Sequence, residues 1–187
     1  MSEEAQFCLD VAKEGMQTAL VHLEKEMQKI RAGKASPQMV EGLRVDYYGT
    51  MTPLNQMANV SAPDPKTIFI QPWDKSALQA IEKAILAANL GFNPINDGMV
   101  IRIPVPPLTE ERRKDYVKKA KSEAESTRVV IRGIRREANE TAKSLEKKSV
   151  SEDEIKKLET DIQKLTDDHI KKVDNIIAAK EKDIMTV

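Results

Sequence analysis

A single cysteine, Cys8, and two histidines, His22 and His169, are all that this 187-residue chain offers of the residue types that build disulfides and most zinc sites. One thiol cannot close an intramolecular disulfide, so stability must come from burial, and a reducing compartment is expected. The two histidines belong to neither a His-Glu-x-x-His run nor a Cys/His cluster, which argues against a metal centre. Aromatic residues make up 4% of the chain, which is not the profile of a β-sandwich. Net charge is also lacking: thirty Lys+Arg balance thirty Asp+Glu, so attraction to a polyanion has to arise from uneven distribution. Long apolar runs are missing as well. The longest mostly apolar stretch, 84–92, is broken by Asn89 and is far below the roughly 20 residues of a membrane span. The acidic opening carries no apolar block behind a basic start, so no signal or transit peptide is read there. A cytoplasmic protein with no membrane association is expected.

What the chain does have is 32% charged and 40% hydrophobic residues, the mixture of long amphipathic helices. Three heptad-like seams follow. The first runs through Leu9, Ala12, Met16, Ala19, Leu23, Met27 and Ile30. The second runs through Val117, Ala120, Ala124, Thr127, Ile131, Ile134, Ala138, Thr141 and Leu145. The third uses Ile155, Leu158, Ile162, Leu165, Val173 and Ile176. Such seams pack helices lengthwise and predict a three-helix bundle. Thr109 is placed as an N-cap with Glu110 and Glu111 in the first turn, giving a helix from there to about 148. Ser151 and Glu154 form a capping-box pattern for the last helix, and the short link at 148–150 makes the last two helices antiparallel.

Residues 32–104 change character. Seven of the nine prolines lie here and the heptads vanish. Strands are predicted at 43–48, 57–62, 67–71 and 99–103, the last after the turn signal Asn96-Asp97-Gly98. A helix is predicted over 75–89 from Leu78, Ile81, Ile85 and Leu86, with Gly91 near its end. The fold class is therefore α+β: a bundle from 1–30 and 106–187, with a small β/α/β domain inserted at 31–105. The chain leaves the bundle through Arg31, Ala32 and Gly33 and returns through Pro104, Val105, Pro106 and Pro107. Glycine on one strand and prolines on the other predict a hinge of limited freedom.

Charge is uneven at finer scale. Residues 112–136 hold ten basic and three acidic residues, a net of +7, whereas 137–187 hold ten and thirteen. At about 100° per residue, Lys114, Lys118, Lys121, Arg128, Arg132, Arg135 and Arg136 fall in a stripe roughly 100° wide beside the apolar seam. Only Glu125 interrupts it. A solvated helix usually mixes signs at i,i+4, and the absence of acidic partners on this stripe points to a polyanion. Arginine forks at its C-terminal end suit phosphate oxygens. No zinc finger, helix-turn-helix spacing or aromatic platform accompanies it, so backbone and shape recognition of a structured RNA is expected. Tyr47 and Tyr48 are adjacent on a predicted strand and point to opposite faces, one of them into the core.

Enzyme chemistry finds no constellation. Gly33-Lys34-Ala35-Ser36 lacks both the preceding Gly and the following Ser or Thr of a phosphate loop, which Gln28 and Ala35 replace. Cys8 adjoins the first seam and reads as buried, and His169 as a packing residue. Glu110-Glu111 and Asp167-Asp168 point about 100° apart within each pair and cannot share a proton. No acid, base and nucleophile assemble, and no cofactor is expected.

Five segments carry a resemblance: KIRAGKASP at 29–37, VDYYGTMTPL at 45–54, PPLTEERRKDYVKKAK at 106–121, IRGIRREAN at 131–139 and KLTDDHIKKVD at 164–174. Together, in order and over the whole chain, they resemble bacterial ribosome recycling factor. The resemblance implies an L-shaped, tRNA-sized monomer that binds the post-termination 70S ribosome, mainly large-subunit rRNA. With elongation factor G, which hydrolyses the GTP, that family splits the ribosome into subunits. Its ribosome-contacting arginines carry over to Arg132, Arg135 and Arg136, with Arg128 and Arg112 nearby. Two positions depart from the pattern, Lys34 where Arg is usual and Gly133 where Asn is common. The alternative is a coiled-coil adaptor or chaperone for a protein partner, which has no need of a one-signed arginine face.

Overall fold

The structure, a computed structural model, describes residues 2–30, 32–147 and 150–186. In chain order the regular elements are α1 (Glu3–Lys29), β1 (Arg44–Tyr47), β2 (Thr50–Pro53), β3 (Ala58–Asp64), β4 (Thr67–Pro72), α2 (Leu78–Ala87), β5 (Ile95–Asn96), β6 (Ile101–Pro104), α3 (Glu110–Glu146) and α4 (Glu152–Met185). The chain divides into two compact units, one of residues 1–30 with 114–186 and one of residues 31–113. Segment 106–113, expected in the bundle, thus groups with the inserted unit. Its anchor is Leu108, buried beneath Gly33, whose φ of +79° is a backbone geometry that favours glycine.

The first unit is a bundle of α1, α3 and α4. Cross-helix pairs fix its directions: Lys121 meets Glu181 and Arg128 meets Asp174, so α3 and α4 run antiparallel. The Ser2 backbone N–H, at the head of α1, donates to the Glu154 carboxylate at the head of α4, so these two run parallel. One end of the core stacks Ala5, Cys8 and Ala12 against Ala138, Ala142 and Leu145, and both against Ile155, Leu158 and Ile162. Small residues permit close approach; a Cβ added at Gly15 would stand 3.2 Å from the Ile134 side chain. Thr109 caps α3 by accepting from the Arg112 N–H, and Ser151 caps α4 by accepting from the Glu154 N–H. The link residues 148 and 149 lie outside the described residues.

The seams hold with local slips. Ala142 is buried in place of the expected Thr141, and Leu20, Thr166 and Ile177 are buried where Ala19, Leu165 and Ile176 are only half-buried. Straight helices explain the drift, because 3.6 residues per turn advances about 20° per heptad against a strict 3.5-residue repeat. The buried polar side chains satisfy themselves within their helices. Thr127 and Thr166 donate to the carbonyls of Glu123 and Ile162, and the His169 ring nitrogen Nδ1 lies 2.7 Å from the Leu165 carbonyl, which can only accept. Cys8 is buried and its thiol is pushed up from its ordinary value by that burial.

The second unit has its own core, in which Val45, Leu54, Ile68, Ile70, Ile81, Ile85, Ile101 and Ile103 are essentially inaccessible. A four-stranded antiparallel sheet of order β3-β4-β6-β5 alternates inward Ile68 and Ile70 with outward neighbours, as a half-buried sheet requires. A separate hairpin pairs β1 with β2, and this second strand was not anticipated. Its two-residue loop, Tyr48-Gly49, has φ of +50° and +81°, the geometry of a primed turn, and Asp46 Oδ1 accepts the Gly49 N–H. The strand expected over 43–48 ends one residue early for that reason. α2 is shorter than 75–89 because residues 75–77 form a 3-10 turn; Leu86 lies on its exposed side rather than in the core.

The expected return linker is largely structure. Pro104 pairs with Thr67 at the end of β6, and Val105 is buried while its N–H donates to the Lys66 carbonyl at 2.7 Å. Pro106 and Pro107 are exposed, Ala32 is half-buried, and Arg31 lies outside the described residues.

Candidate nucleic-acid interface

The basic face belongs to α3, a helix about 55 Å long at 1.5 Å per residue. Its buried seam of Ala120, Ala124, Thr127, Ile131, Ala138, Ala142 and Leu145 fixes which side is turned to the bundle. The predicted basic residues therefore share the flank of that seam. Lys114, Lys118, Lys121 and Arg136 are exposed, and Arg128, Arg132 and Arg135 are half-buried. Arg112 is exposed on the first turn of α3, in the other compact unit.

One expectation needs correction: the stripe does have acidic partners. Arg128 donates through Nε and Nη2 to Asp174 Oδ1 of α4 at 3.1 and 2.6 Å, and through Nη1 to Glu125 at 3.1 Å. Arg132 donates to the other oxygen of Glu125 at 3.2 Å, and Lys121 pairs with Glu181 of α4 at 3.0 Å. Asp174 and Glu181 were invisible to a wheel drawn for one helix, because the register between two helices is not written in either. Arg128 is accordingly a brace between α3 and α4. Its hydrogen bond to Asp174, ahead of that to Glu125, raises its pKa above the ordinary arginine value, and the Arg128 bond in turn holds Glu125 below the usual carboxylate range.

Towards the C-terminal end of the stripe, Arg135 and Arg136 meet no carboxylate within ion-pair distance among the described residues. Two guanidinium forks and the partly paired Arg132 lie within two turns of helix there. This arrangement positions planar donors for phosphate oxygens. Among the described residues no group of three or more His, Cys, Asp or Glu side chains could hold a metal ion. No described helix is long and apolar enough to cross a membrane. Tyr48 is exposed, whereas Tyr47 packs on the small core and donates its hydroxyl to Asp74 at 2.7 Å.

A long arginine-faced helix in a three-helix bundle, with an α/β unit inserted between its first and second helices, offers a face suited to binding phosphate groups. The model of the family described as ribosome recycling factor matches residues 23–185, and the chain belongs to that family. The ribosome-recycling factor of Flavobacterium johnsoniae is 56% identical over 187 residues, all of both chains. That of Cytophaga hutchinsonii is 57% identical over 185 residues, 99% of this chain and all of the relative. A solution structure of a ribosome recycling factor superposes with a TM-score of 0.81 at 41% identity, covering the whole of both chains. A second structure is described as models for the Thermus thermophilus ribosome recycling factor and the Escherichia coli elongation factor G bound to the E. coli post-termination complex. It matches with a TM-score of 0.65 at 46% identity over 97% of this chain and 99% of that one.

Proposed function

We propose that this chain recycles ribosomes: it binds the post-termination 70S ribosome and, with elongation factor G and GTP, splits it into subunits. The observation that carries the binding half is the α3 face, where Arg135 and Arg136 project without carboxylate partners among the described residues. In this reading Arg132, Arg135 and Arg136 contact phosphates of large-subunit rRNA, and Lys114, Lys118, Lys121 and Arg112 extend the field. Arg128 contributes chiefly by bracing α3 on α4. In this reading the chain binds, the elongation factor hydrolyses the GTP, and the place of action is the cytoplasm where ribosomes work.

The test is salt-titrated co-sedimentation with large ribosomal subunits. The Arg132→Ala/Arg135→Ala double variant should bind more weakly with its helical circular dichroism and melting unchanged, because both side chains flank the seam. Each lost phosphate contact should also lower the slope of log affinity against log salt by about 1. Unaltered affinity in the double variant rejects the assignment of this face.

A further inference from the structure

Glu125 stands in the middle of a face that otherwise carries one sign. Its two oxygens are divided between two arginines: Oε2 accepts from Arg128 Nη1 at 3.1 Å and Oε1 from Arg132 Nη1 at 3.2 Å. Positions 125, 128 and 132 are separated by three and four residues, so all three share one helix face. The carboxylate is 54% exposed and, among the described residues, bonds only to these two side chains on its own helix. Arg128, by contrast, is held from the other side by Asp174 and cannot follow Glu125 if it leaves.

We propose that Glu125 occupies the place of one backbone phosphate of the bound RNA, an internal anion that converges Arg128 and Arg132 and is displaced when the phosphodiester enters. The proposal rests on the reading of this face as the ribosomal RNA contact and names the ligand of one position on it. The chemistry of the two anions matches: each presents two oxygens, close together and negatively charged, to two guanidinium forks. Displacement is inexpensive for the protein, since an exposed pair within one helix contributes little and loses no anchor to another element. The RNA phosphate gains what the carboxylate cannot, namely release of the counterions condensed on a polyanion. A lone anion has no such advantage, so Glu125 makes the site selective for a phosphate embedded in a polymer.

The experiment is equilibrium binding of the full-length protein to isolated large ribosomal subunits for wild type, Glu125→Gln, Arg132→Ala and the Glu125→Gln/Arg132→Ala double variant. Circular dichroism confirms that each is folded. Glu125→Gln, which keeps the shape and removes the charge, should bind about threefold tighter at low salt. That gain should shrink or vanish in the Arg132→Ala background, because the two residues act on one phosphate. Equal or weaker binding by Glu125→Gln overturns the proposal, since Glu125 would then be needed to position the arginines. A gain that persists undiminished without Arg132 overturns it too, as a general effect of charge. If Arg132→Ala binds as tightly as wild type, the reading of the face itself has failed, an outcome separate from the other two.

Discussion

Tyr47 and Tyr48 stand one residue apart and live in different environments. Tyr47 ends β1 on the small core and gives its hydroxyl to Asp74; Tyr48 has entered the turn at positive φ and is 81% exposed, its ring edge-on to Tyr47. The Tyr47 bond is the largest cause holding Asp74 below its ordinary carboxylate value, followed by the bonds from Ser76, and it raises the Tyr47 phenol in turn. A carboxylate whose folded value lies below its unfolded one contributes stability that is fully present above the unfolded value and is lost as pH falls through the folded one. Tyr47→Phe should therefore destabilise the small unit at neutral pH, and the difference from wild type should shrink below about pH 4, the unfolded carboxylate range. Denaturant titrations at pH 7 and pH 3 read this directly; a difference that is the same at both would remove the Tyr47–Asp74 bond from the account.

At the level of elements, α3 carries Gly133 in its interior without a break, and a Cβ built there meets nothing within 4 Å. Its backbone is helical, so the glycine contributes only entropy to the unfolded chain. Gly133→Ala should raise bundle stability by about 0.5–1 kcal/mol, read as a higher denaturant midpoint with an unchanged slope. A loss of stability would show that glycine serves a close approach not visible at this position. The helices were legible in sequence because apolar spacing and capping residues agree, as at Thr109 and Ser151. Glu154 shows the limit of that local reading. In place of completing its capping box it accepts the Ser2 N–H, a contact between residues 152 positions apart. β2 was missed because its turn, Tyr48-Gly49, lacks the Asn or Asp that marks most such hairpins, and β5 because two residues carry no periodicity. Within the candidate site the arginines were legible as a face. Which of them are braced was not, since Asp174 and Glu181 reach them from α4.

For the whole molecule, the proposed splitting activity asks more than docking. Pro106 and Pro107 are exposed between Val105, pinned by its bond to Lys66, and Leu108, buried under Gly33. Stiff proline geometry there keeps the path back to α3 short and extended. Two glycines inserted between Pro106 and Pro107 should leave affinity for large subunits within about twofold, because that contact uses α3, yet slow splitting by elongation factor G. Normal splitting by this variant would mean that the return segment transmits nothing. The insertion of residues 31–113 between α1 and the rest of the bundle also sets an order of events at birth. α1 leaves the synthesising ribosome first, but the partners that cover Met16, Leu20, Leu23 and Met27 follow only after the whole inserted unit has been made. At roughly 5–20 residues per second that interval is several seconds, during which the inserted unit can fold while α1 waits with its apolar side uncovered. A nascent chain stalled once residue 113 has emerged should accordingly resist protease across the small unit and be cut within α1, leaving α1 dependent on chaperones until α4 arrives.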